Sequence, residues 1–147
     1  MKKIKLTIIV FFILSFSNFV KADLNISLKK YLDGKDIEKG STQIYLLKRC
    51  SSVYAYASGV ILKSDAVTSK NFIEISNNLL FKSVELMVID ENKKLEQAQT
   101  EAEKNRKELF NNYIADGKKN WEKNKSHFKG SYISEDMAIC SKLVEDQ

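Results

Sequence analysis

The sequence predicts an all-α fold: a three to four helix bundle built on a long helical hairpin, with the C-terminal helix tied to the first major helix by one disulfide. Three observations predict it. Apolar residues recur at the three- and four-residue spacing of a helix in each long stretch after Gly40. No proline occurs in the 147 residues, so no locked φ or missing N–H interrupts a helix. The two cysteines, Cys50 and Cys140, each sit on an apolar stripe, so both sulfurs face an interior and are expected to face each other.

Residues 1–22 read as a secretory signal. Lys2, Lys3 and Lys5 precede an apolar run from Leu6 to Phe16 broken only by Thr7 and Ser15, and Val20-Lys21-Ala22 offers a cleavage site. The run is short of the ~20 residues a spanning helix needs. The expected mature chain is a single helical domain, residues 23–147, periplasmic or secreted, with no stable membrane anchor after cleavage. Taking the signal's four Lys from the 24 basic residues leaves 20 against 19 acidic ones, a net charge of +1. A net charge of +1 gives no ground for reading a nucleic-acid or anionic-membrane binder, and no nucleic-acid partner is expected. Outside the cytoplasm an even pair of cysteines reads as a bridge. Closing a loop of about 90 residues stabilises by roughly 4–5 kcal/mol in the chain-entropy model.

From Asp23 to Gly40 the pattern fits both structures: Leu24, Ile26 and Leu28 alternate as in a strand, while Leu24, Leu28 and Tyr31 or Leu32 fit a helical turn. Ser41 is the expected N-cap of the first major helix. On it Leu46, Leu47, Cys50, Val53, Tyr54, Ala57, Val60 and Ile61 share an arc of about 140°, which predicts burial on one broad side. A polar turn, KSDAVTSKN, separates it from a second apolar helix, about Phe72 to Ile89, whose polar face is limited to Glu74, Lys82 and Glu85. The pair makes the hairpin.

A longer, wetter helix is expected from about Lys93 to Ser126. Leu95, Ala98, Ala102, Leu109 and Tyr113 form its core stripe, and Phe110, Ile114, Trp121 and Phe128 a second stripe beside it. Glu103 and Lys107 are spaced as a favourable pair. Gly117 is the expected weak point. Ser134 reads as the N-cap of a last short helix, with Glu135 and Asp136 on its positive end and Cys140 in its apolar stripe.

No cofactor or metal is expected, because the chain has no phosphate-cradling loop, no dinucleotide fingerprint and neither CxxC nor HxxxH. With one histidine and no nucleophile–base set in sequence, no enzyme is expected. The stretch from Asp116 to Lys129 interleaves five Lys with Trp121 and Phe128. Its candidate surface-binding residues are Lys118, Lys119, Trp121, Lys123, Lys125 and His127. The functional reading is a site for an anionic surface. The structural one is a core stripe with a wet back, its charge balanced by Glu135, Asp136, Glu145 and Asp146. Tyr45, Tyr54 and Tyr56 are candidates to line a ligand groove, or else core residues with hydroxyls at the rim.

The expected function is that of an exported, non-catalytic module that binds an unidentified protein partner in the cell envelope as an inhibitor, adaptor or assembly factor. The alternative is a carrier or sensor of a small apolar ligand or lipid. The hairpin offers more apolar surface than one facing helix covers, so the third helix, a homodimer partner or a ligand must take up the surplus.

Overall fold

The computed structural model describes residues 26–145; the expected signal segment and the expected mature start at Asp23 lie outside them. Five helices follow one another: α1 Leu28–Leu32, α2 Gly40–Ile61, α3 Ala66–Asp90, α4 Leu95–Asn124 and α5 Tyr132–Glu145. α1 is little more than one turn, so the bundle proper has four helices, and α2 and α3 form the long hairpin. Among the described residues there is no strand. Cys50 on α2 and Cys140 on α5 are bonded, with Cα atoms 5.3 Å apart and both residues fully buried. Such a bridge is consistent with folding outside the reducing cytoplasm. Among the described residues no helix is long and apolar enough to cross a membrane.

Helix α2 is the axis of the molecule rather than a helix buried on one side. Every residue from Leu47 to Tyr54 is buried, because α3, α4 and α5 surround its middle. That arrangement buries polar side chains that periodicity alone assigns to solvent: Lys48, Arg49, Ser51, Ser52 and Ser58. The main core joins Leu28, Leu47, Val53, Tyr54, Tyr56, Leu79, Tyr113 and Ile133 around the disulfide. A second cluster, at the end where α3 turns into α4, joins Ile44, Val84 and Met87 to Ala98 and Ala102. The two alanines are fully buried, which lets α4 lie close to the hairpin.

A seam of serines closes the hairpin. Ser51 Oγ donates to the Ser76 carbonyl at 2.8 Å and Ser76 Oγ returns a bond to the Ser51 carbonyl at 2.7 Å. Two turns along, Ser58 and Ser69 repeat the exchange at 2.8 and 3.0 Å. Side chains this small bring the backbones within reach, and the reciprocal bonds satisfy all four hydroxyls of the seam.

Several helix ends differ from expectation. α2 begins at Gly40 behind Lys39, which makes no side-chain cap, so Ser41 is inside the helix. A Cβ on Gly40 would collide with the Asp90 carboxylate, so the close approach of the α3 end sets this start. α3 begins six residues before Phe72, because Asp65 caps it by accepting from Thr68 N at 2.9 Å. Ser134 lies within the first turn of α5, where its Oγ donates to the Ser131 carbonyl at 2.8 Å. Ser27 caps α1, so the part of the ambiguous N-terminal pattern from Leu28 to Leu32 is helical, while Leu24 lies outside the described residues. α4 runs unbroken through Gly117. Leu95, at the open end of the bundle, is 57% exposed rather than part of the core stripe.

Candidate functional site

The C-terminal half of α4 and the loop behind it carry an exposed aromatic side chain that the fold holds in place. Trp121 is 47% exposed and Ile114, two turns before it, 45%. Both depart from the expected second core stripe, of which only Phe110 and Phe128 pack against the core. Trp121 stacks on the His127 ring, with centroids 5.0 Å apart and planes 24° apart. His127 Nδ1 shares a hydrogen bond of 3.0 Å with Tyr56 Oη. Tyr56 is buried against Tyr113 and Phe128, and burial pushes its phenol up to about 12.

Two local devices fix this chain of rings. Gly117 is bare where the Tyr56 hydroxyl crosses α4, and any Cβ would overlap it. The loop that bears His127 is tied by Asn120, whose Nδ2 donates to the carbonyls of Ser126 at 2.7 Å and Lys129 at 3.0 Å. Lys125 takes a left-handed conformation, φ 56°, as it turns the chain out of α4. His127 is thus half-buried and held, rather than a free surface histidine.

The other candidate surface residues divide. Lys118 lies one turn from both Ile114 and Trp121, and Lys125 one turn beyond Trp121. Lys119 is on another side of the helix, where it donates to Asp116 at 3.3 Å. Lys123 points away from the Trp121 line by its place in the helical sequence and pairs with no carboxylate among the described ion pairs.

The expected balancing of this basic stretch by Asp136 needs correction. Asp136 is fully buried, and its Oδ2 accepts from Arg49 Nε at 2.9 Å, from the same guanidinium's terminal nitrogen at 2.7 Å and from Tyr113 Oη at 2.6 Å. Its Oδ1 accepts from Leu28 N at 2.6 Å. Arg49 also donates to Tyr45 Oη at 3.1 Å and to the Ile26 carbonyl at 2.8 Å. Burial opposes the guanidinium's charge, but the facing oxygens of Tyr113 and Asp136 outweigh it and raise its pKa. Burial likewise pushes the Tyr113 phenol up. Every polar atom is used within the chain, so the cluster docks α5 and the N-terminal segment onto α2. Arg49 was not legible as a site residue because Lys48-Arg49 reads as a polar break in an apolar arc.

The three tyrosines proposed for a groove pack on rings of their own chain: Tyr45 on Tyr31 at 3.9 Å, Tyr54 on Phe72 at 5.2 Å and Tyr56 on Tyr113 at 6.0 Å. Two open depressions have other linings. One, of about 490 Å³, lies between Ser27, Lys30 and the start of α5 at Tyr132 and Glu135. The other, of about 390 Å³, is formed by Ile75, Leu79 and Phe81 of α3 with Val144 of α5. Phe81 beside it is 60% exposed. Among the described residues no buried side-chain nitrogen or oxygen lacks a partner, and no group of three or more His, Cys, Asp or Glu is placed to hold a metal. No protein-family model, curated protein or solved structure matches the chain.

Proposed function

We propose that this protein is an exported, non-catalytic helical module that works in the cell envelope, periplasmic or secreted, by binding a protein partner. The observation that carries the reading is Trp121: a half-exposed indole held on one face by His127, which is itself held by buried Tyr56. Interface hot spots are enriched in tryptophan, and a side chain already fixed in place loses little entropy on binding. The disulfide and the Arg49–Asp136 pair tie α5 to α2, the helix that carries Tyr56.

A photo-reactive phenylalanine at Ile114, the exposed neighbour of Trp121, tests the reading in the exporting cell. The expected result is one specific protein adduct that disappears on Trp121→Ala while the helical circular dichroism is unchanged. An adduct that persists in Trp121→Ala, or that forms equally from a control probe at Lys70 on α3, overturns docking at this ledge.

A further inference from the structure

Resting on the reading that the Trp121 ledge is the docking surface, we infer that the segment seated there is a carboxylate-rich amphipathic helix of the partner protein. Lys107, Asn111, Ile114, Lys118, Trp121 and Lys125 follow one another at three- and four-residue steps, and all six are exposed. The first five form one line on the outside of α4, roughly 21 Å long at 1.5 Å per residue, and Lys125 is the left-handed residue just past its end. No carboxylate stands in it. The acids beside it are not paired with it: the ion pairs of the described residues include neither Glu103 with Lys107 nor Glu122 with Lys118. Asp116 is occupied by Tyr132 Oη at 2.8 Å and by Lys119. The line therefore presents the ammonium groups of Lys107 and Lys118 around two apolar side chains, with Lys125, whose Nζ donates to the Glu122 carbonyl at 3.5 Å, at its end. Carboxylates on a facing helix complement the first, and an apolar strip complements the second.

A lipid surface fits less well. An interfacial helix sinks its apolar face 5–10 Å into the boundary of headgroups and acyl chains, as a general rule. Here only Ile114 and Trp121 are available, and Trp121 gives one ring face to His127. A partner that brings its own apolar strip uses what is exposed without pulling the stack apart.

The chain has one tryptophan, so intrinsic fluorescence reports on this ledge alone. Three probes are titrated into the disulfide-bonded protein: a synthetic helical peptide of Glu and Leu, the same peptide with Gln for Glu, and phosphatidylglycerol vesicles. The inference expects a saturable change with the Glu peptide, about tenfold weaker with the Gln peptide and in Lys118→Glu/Lys125→Glu, and weakening with salt. Equal binding of both peptides, a response to vesicles alone, or no response to any probe overturns it. The crosslink at Ile114 separates the two levels. An adduct lost in Trp121→Ala but kept in Lys118→Glu/Lys125→Glu overturns the acidic segment and spares the docking site, whereas an adduct kept in both variants overturns both.

Discussion

At the scale of single residues, the interior is decided by charges that solvent does not reach. Arg49 and Asp136 are 1% and 0% exposed, and removing one partner strands the other's charge in a medium that solvates it poorly. Asp136→Leu is expected to cost about 3–5 kcal/mol in urea unfolding, and Arg49→Met/Asp136→Leu less than that single change. A double variant as unstable as the sum of its parts would show that the pair is not coupled. Tyr56 gives a pH signature. Its folded pKa of about 12 lies above the ordinary phenol value near 10. The neutral form is therefore favoured by folding, and the contribution is whole below about pH 10 and lost as pH rises through about 12. Ultraviolet titration of phenolate should show one less late-titrating tyrosine in Tyr56→Phe, and Trp121 fluorescence should change as His127 loses its partner.

At the scale of elements, the hairpin depends on side chains being small as much as apolar. Ser76 is fully buried between backbones. Ser76→Ala keeps the approach and leaves few groups unpaired, for a loss of about 1 kcal/mol, whereas Ser76→Leu forces the helices apart at roughly 1–3 kcal/mol or more. Thermal melts that rank Leu above Ala would contradict a close-packed seam. Apolar spacing made the hairpin, the long third helix and the Cys140 helix legible. The seam itself was also written in the sequence, as serines seven apart at Ser51 and Ser58 and at Ser69 and Ser76, but a count of apolar residues passes over it. Gly117 shows the reverse error. It reads as a helix weakener, yet what requires glycine there is a tyrosine hydroxyl arriving from α2, which no local pattern encodes. The ledge was half legible for the same reason: Trp121 and the lysines were visible as a composition, while the His127–Tyr56 hold on them is a contact across 71 positions.

At the scale of the whole molecule, α5 is tied to α2 by two links one turn apart, Asp136 to Arg49 and Cys140 to Cys50, whose partners are adjacent on α2. The disulfide acts mainly on the unfolded chain, and its loss through Cys50→Ser/Cys140→Ser is expected to cost about 2–5 kcal/mol. The ion pair acts on the folded one, where Asp136→Asn weakens Arg49's charge compensation inside a closed core. With both links cut, α5 can leave while α2, α3 and α4 stay packed through the serine seam and the Ala98–Ala102 contact. Undocking then returns Arg49 to water and removes the penalty of a buried, poorly paired charge. The combined variant should therefore lose less than the sum of the separate losses, and its melting should split into an early α5 step and a later step of the three-helix body. Hydrogen exchange read by mass spectrometry checks this directly. Amides of residues 132–145 should lose protection in the combined variant while those of the α2–α3 seam keep theirs; uniform loss across all helices would mean that α5 is part of one indivisible folding unit.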